Sequence, residues 1–134
     1  MQIDNPSVIA EARAAFDRYE KAIAENDSAV LNATFWADPR TVRFGVTEIL
    51  YGIEAIHAFR ATVQKYAPRA TRKVHITSFG DDFACTHLEY ERLDTGLIGR
   101  ETKIMVRIPE QGWRVVSAHV SLLAGHDPGR LNKG

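Results

Sequence analysis

Cysteine is nearly absent from this sequence. Cys85 stands alone among 134 residues, so no internal disulfide can form, and no Cys/His spacing fits a zinc site. Net charge is absent too, because 17 Lys+Arg balance 17 Asp+Glu. Nucleic acids and anionic membrane surfaces attract proteins through a positive field, which a neutral chain does not offer. No apolar run approaches the roughly 18 residues of a membrane helix. The segment Met1 to Pro6 has neither the basic cluster nor the apolar stretch of a secretory signal. The expectation is a cytoplasmic protein with no nucleic-acid or membrane partner. Gly-x-Ser-x-Gly, a Walker loop, a dinucleotide fingerprint and His-Glu-x-x-His are also missing.

What is present suits one domain over residues 1–134. A chain of this length buries roughly two-thirds of its unfolded surface, which is enough for a core without staples. Asn5-Pro6 is a helix start, with Asn capping and Pro in the first turn. Val8, Ala12, Phe16, Tyr19 and Ile23 then repeat at helical steps, predicting a helix over about 6–25. Asp27 or Ser28 caps a short second helix over 29–34, and Asp38-Pro39 marks a turn. Thr41–Val46 reads as a strand, and a loop or bent hairpin leads to Tyr51. Ile53, Ile56, Arg60 and Val63 share a face, predicting a third helix over 53–65.

Beyond Pro68 the pattern alternates. Strands are predicted at Arg69–Phe79, Asp82–Arg92, Leu97–Ile108 and Gly112–Leu122, joined by tight turns. The polar tail over 124–134 reads as loosely held. Helices followed by long strands imply an α+β fold, a cone in which three N-terminal helices pack in a curved, mainly antiparallel mixed sheet. Its open mouth is the default site.

Polar groups on core-facing stripes are the informative feature, because burying them is costly unless they are paired. Tyr19 lies between Phe16 and Ile23. It is either a core tyrosine satisfied by a carbonyl or a phenol aimed into a pocket. Arg43, between Val42 and Phe44, faces either solvent or the interior, where it would form a fork for a carboxylate. Arg60 sits on the apolar stripe of the third helix; it either snorkels, the reading this position favours alone, or meets an anion. Simple alternation places His119 and Ser121 with Trp113, Val115 and Ser117 on one face. His119 is then a core histidine or a pocket donor or base. Glu48, Glu89 and Arg100 are further candidates, each more often a surface charge or a structural ion pair. His75 and His87 have no metal spacing, and Cys85 reads as an inert thiol. Both faces of the last strand look half-buried, as for a sheet with helices inside and another subunit outside, so a homodimer is expected.

The element order and the block Gly112-Trp113-Arg114-Val115-Val116-Ser117-Ala118-His119-Val120-Ser121 resemble the nuclear transport factor 2-like superfamily, which includes ketosteroid isomerases and polyketide-cyclase-like enzymes. Five further blocks are similar to a narrower family. They are Phe35–Glu48, Leu50–Ile56 with Phe59-Arg60, Thr77–Ala84, Gly99-Arg100 and Ala118–Ser121. That family comprises small proteins encoded beside amidase-signature hydrolases in bacterial cyanuric-acid and oxalurate catabolism. The resemblance runs from about residue 6 to 123. It implies a cone-shaped pocket and a hydrolase that needs no metal or cofactor, a decarboxylating amidohydrolase that converts dicarboxyurea to allophanate. It also implies an essential pair at Tyr19 and Arg43. One block departs: Glu101-Thr102-Lys103-Ile104-Met105 stands where the family has a Gln-Ser-Gln-Thr-Trp-like run. The expectation places this segment on the outer sheet face or the pocket rim.

On this reading Arg43 clamps a substrate carboxylate, with Arg60 or Arg100 as second anchor, and Tyr19 donates a hydrogen bond or proton. Trp36, Phe44 and Tyr51 shape the pocket, while His119 and Glu48 orient water or Tyr19. Arg43, Arg60 and Arg100 would make a locally positive cavity, suited to a small anionic substrate, within a neutral chain. Two other readings stand beside it. An isomerase or cyclase of a small apolar ring would need a carboxylate base in an apolar cavity, for which Glu48 and Glu89 are the candidates. A non-enzymatic subunit would instead associate with an amidase-signature hydrolase.

Overall fold

The computed structural model describes residues 1–124. The chain runs α1 (Pro6–Glu25), α2 (Ser28–Thr34), β1 (Val42–Phe44), β2 (Ile49–Tyr51), α3 (Ile53–Thr62), β3 (Arg69–Phe79), β4 (Phe83–Arg92), β5 (Ile98–Ile108) and β6 (Gly112–Leu122). Local chemistry sets the helix ends. The Asn5 side chain accepts from Ser7 N at 3.1 Å ahead of Pro6, and Asp27 accepts from Val30 N at 3.2 Å. Asn26 closes α1 in the left-handed conformation, φ 53°.

Six strands form one sheet in the order β2-β1-β6-β5-β4-β3. Every pairing is antiparallel except β1 with β6, which is parallel. The helices pack on the inner face of this curved, mixed sheet, so the expected α+β cone is what the chain forms. Val8, Ala12, Ala15, Leu31, Phe35 and Ile56 from the helical side meet Ala84, Met105, Val115 and Ala118 from the sheet. Each large apolar side chain buried there contributes about 1.5–3 kcal/mol. Ile3 bridges to Phe79, and Asp4 accepts from Thr77 Oγ1 at 2.6 Å and Ser78 N at 3.0 Å, so the amino-terminal segment covers the β3 edge.

Two boundaries and one register differ from the sequence reading by more than one residue or in their consequence. The strand expected over 41–46 is cut to three residues, because the chain turns at Gly45 to pair with β2. The third helix ends at Thr62, and Val63 is already extended. In β6 the register slips by one residue between Ile104↔Ser117 and Met105↔Val115, a β-bulge at Val116. Trp113, Val115, Ala118 and Val120 are therefore all buried, while His119 points outward. The tail expected to be loosely held lies, apart from Ala124, outside the described residues. None of the described helices is long and apolar enough to cross a membrane.

Candidate functional site

α1, α3, β1, β3, β4, β5 and β6 enclose a cavity of about 150 Å³ at the mouth of the cone. Tyr19, Arg43, Arg60, Arg69, Tyr90 and Glu101 are among its walls. The volume is well below that of pockets for drug-sized ligands.

Arg60 is the central group. It lies in the last turn of α3, where the helix dipole favours a cation, and is only 2% exposed. The snorkelling reading is thereby corrected, since the guanidinium points into the cone. Nη2 donates to the Tyr19 hydroxyl at 2.9 Å and Nη1 to the Tyr66 hydroxyl at 3.1 Å. Its Cζ lies 5.1 Å from the Phe35 ring centroid. Nε is buried without a hydrogen-bond partner, and no carboxylate pairs with Arg60 among the described residues. Tyr66 is held in reach because its backbone N–H donates to the Asn26 side chain at 2.7 Å.

Arg43 projects inward from β1, since Val42 and Phe44 take the other face. Its Nη1 is 2.5 Å from Glu48 Oε1, and its Cζ lies 5.4 Å from the Phe59 ring centroid. Burial pushes the Glu48 carboxyl up, but hydrogen bonds from Thr47 and Arg43 outweigh it and hold the group below the usual range. Glu48 can fold back onto Arg43 because Gly45 has no side chain. A Cβ there would sit 1.6 Å from Glu48 Oε1.

Arg69 enters from the start of β3. It forms a two-point pair with Glu20 at 2.6 and 3.3 Å and lies 4.5 Å above the Tyr90 ring. Tyr90 in turn occupies space left by Gly99 on the neighbouring strand, where a Cβ would meet its ring at 2.0 Å. Burial raises the Tyr90 phenol, only partly offset by the Arg69 charge.

β5 supplies the groups that sequence reasoning placed elsewhere. Glu101 and Lys103 point inward, and both are buried. Lys103 Nζ lies 2.8 Å from Glu101 Oε1, an ion pair without hydrogen-bond alignment, and 3.4 Å from the centroid of the Tyr19 ring. Complete burial opposes the Glu101 charge, but Lys103 and Arg69 outweigh it and keep the carboxylate below its ordinary range. The expectation of an outer-face or rim position for this segment is corrected for Lys103, which is sealed in the interior, whereas Glu101 lines the cavity at the mouth.

Of the residues singled out from sequence, Tyr19, Arg43 and Arg60 meet at the cavity, and Glu48 backs Arg43. Six others do not line it: Arg100, His119, Phe44 and Trp36, together with Tyr51, exposed and edge-on to Phe44, and Glu89, paired with Arg72 outside. Arg100 is exposed on the outer face, donating weakly to Leu122 O at 3.4 Å. His119 and Phe44 lie outside too, 5.5 Å apart between ring centroids, because of the β6 bulge and the alternation of β1. Trp36 is half-buried under the Arg40 guanidinium at 4.7 Å. Arg69, Arg92, Glu101, Lys103, Tyr66 and Tyr90 were missed. The available signal was Glu101 and Lys103 at two-residue spacing with Gly99 and Met105 on a central strand.

A cone of three helices in a curved mixed sheet, with its polar cavity at the mouth, is the nuclear transport factor 2-like architecture. Within that class the AtzH-like family profile matches residues 1–126, and the chain belongs to this family. A protein of unknown function from Pectobacterium atrosepticum is 46% identical, with a TM-score of 0.87 over 91% of this chain and 95% of its own. A cystatin-like fold protein from Burkholderia xenovorans is 40% identical, with a TM-score of 0.89 over 94% and 99%. An NTF2-like protein of unknown function from Pseudomonas putida shares the fold at 19% identity, with a TM-score of 0.74 over 87% of each chain. No curated protein matches at significance.

Proposed function

We propose that the cavity binds a small ureido-carboxylate, such as dicarboxyurea, and that the protein is a decarboxylating amidohydrolase needing no cofactor. The observation that carries this reading is Arg60, a buried guanidinium whose hydrogen-bond partners are two neutral phenols. Burial opposes the Arg60 charge, its interactions with Tyr19 and Tyr66 outweigh that, and a carboxylate ligand would add the counter-charge that no side chain supplies among the described residues. Arg43, partly engaged by Glu48, supplies a second fork for the same anion.

The chemistry asks little more of the protein. In an N-carboxy urea, the bond between nitrogen and the carboxyl carbon breaks and the electron pair stays on nitrogen. That pair spreads into the adjoining carbonyl, carbon dioxide leaves, and nitrogen takes one proton. Dicarboxyurea dianion plus one proton thus gives allophanate and carbon dioxide, and hydration of the carbon dioxide to bicarbonate and a proton makes the net reaction a hydrolysis. On this reading Arg60 and Tyr19 stabilise the charge developing on the carbonyl oxygen. The Tyr19 O–H is free to donate to the ligand, because its oxygen already accepts from Arg60. Isomerisation of an apolar ring is less well served, since Glu101 is held ionised between Lys103 and Arg69 in a polar cavity.

The test is allophanate formation from dicarboxyurea. Tyr19→Phe and Arg43→Lys, each with an intact fold, should lower turnover by about a hundredfold or more. Full turnover in both variants would sink the mechanism. The reading includes a homodimer through the outer sheet face, where Ile49 and Tyr51 are 73% and 67% exposed. A monomeric mass by light scattering would remove that part.

A further inference from the structure

We propose that Tyr66 is a specificity-determining partition, a ring that confines the ligand to the inner cavity and keeps out carboxylates that carry a side branch. The proposal rests on the small-anion reading of the cavity and adds to it the residue that sets ligand size.

Behind the cavity lies a second hollow of about 220 Å³. Ile23, Tyr66, Ala67 and Arg69 line both spaces and so form the wall between them. Three of these are poor gates. Ile23 is buried in the apolar stripe of α1, and Ala67 offers only a methyl group. Arg69 is fixed by its two-point pair with Glu20 and by the Tyr90 ring. Tyr66 differs from all of them. It is a large, half-buried ring on residues 63–68, a segment that is neither helix nor strand.

The ring stands where a ligand would branch. Its hydroxyl accepts from Arg60 Nη1 at 3.1 Å, and Arg60 Cζ lies 6.0 Å from its centroid. A carboxylate held by Arg60 therefore lies beside the ring, and a substituent on the next carbon meets it. With the ring removed, that substituent reaches the outer hollow. The walls there include the hydrocarbon side chains of Ile23, Ala24, Ala67 and Pro68, which favour an apolar branch.

Asn26 is the positioning residue for this partition. It closes α1 at φ 53°, a left-handed position where glycine is the usual choice. Its Oδ1 accepts from Tyr66 N at 2.7 Å, so one residue supplies both the turn and the anchor. The far end of the segment is tied where Leu93 N donates to Pro68 O at 2.9 Å.

Two dianions decide the matter. Glutarate has the same number of atoms between its carboxylates as dicarboxyurea, and 2-phenylglutarate adds a ring beside one of them. Titration calorimetry on the wild-type protein should show glutarate binding more tightly by about a hundredfold. In Tyr66→Ala that ratio should fall to about one, because the two spaces become continuous. Tyr66→Phe loses the bond to Arg60 but keeps the ring, and should keep the ratio. Asn26→Gly retains the left-handed turn without the anchor, so its ratio should fall by about threefold or more, while Asn26→Asp, which still accepts, should restore it. Equal binding of the two probes by the wild type overturns the partition and leaves the small-anion reading standing. An unchanged ratio in Tyr66→Ala, or a lost one in Tyr66→Phe, does the same. An unchanged ratio in Asn26→Gly overturns the part given to Asn26. If glutarate does not bind the wild type at all, the small-anion reading falls and the partition with it. Should Tyr66→Ala not fold, Tyr66→Val puts the same question.

Discussion

At the scale of single residues, Arg60 separates a functional charge from a structural one. A guanidinium needed for folding would hold its element in place through a counter-ion. Arg60 instead sits on two phenols with one nitrogen orphaned. Replacing a buried charge by an apolar chain of similar length is often neutral or stabilising. Arg60→Met should therefore keep or raise the urea midpoint while weakening carboxylate binding by about a hundredfold, the usual consequence of losing a charge-assisted anchor. A large drop in the midpoint with binding preserved would make Arg60 a structural residue. The sequence showed Tyr19 and Arg60 as polar residues on apolar stripes, which is why both could be singled out. It could not show where Arg60 points, because a long flexible side chain reaches either solvent or interior from the same helical position.

Elements explain most of what was legible and most of what was not. The helices and long strands follow from periodicity, caps and turn residues, and their order led to the cone. The face of each strand was harder. Counting by twos along β6 puts His119 with Trp113 and Val115, and one inserted residue at Val116 reverses that assignment. On β5 both faces carry polar groups, with Glu101 and Lys103 inside and Arg100 and Thr102 outside, so alternation of hydrophobicity could not pick the inner one. The glycines opposite these strands are part of the site. Gly99→Ala drives a Cβ into the Tyr90 ring, which must leave its place beneath Arg69. The expected loss is about 1–3 kcal/mol in urea unfolding, as for other overpacked cores. In the Tyr90→Ala background the same change should cost little, a coupling that a double-mutant cycle reads directly. Additive losses would show that Gly99 acts through its backbone alone.

On the scale of the whole molecule, 17 basic and 17 acidic residues cancel, yet among the described residues the Arg60 charge in the cavity has no carboxylate partner. Neutrality overall is compatible with a positive site because pairing is local. The carboxylates that pair there also set the acid limit of the fold. Glu48 and Glu101 have folded-state affinities for protons below their ordinary value of 4.5. The unfolded chain therefore binds more protons than the native one just below that value, and stability falls with falling pH. Their contribution is complete above about pH 5 and is lost as the pH drops through the lowered native values. Urea unfolding between pH 3 and 7 should accordingly give a plateau at the neutral end and a decline on the acid side. Glu101→Gln/Lys103→Gln has one such carboxylate fewer, so its decline should be shallower than that of the wild type. Parallel declines would mean that Glu101 binds protons alike in the folded and unfolded chains and takes no part in the acid limit.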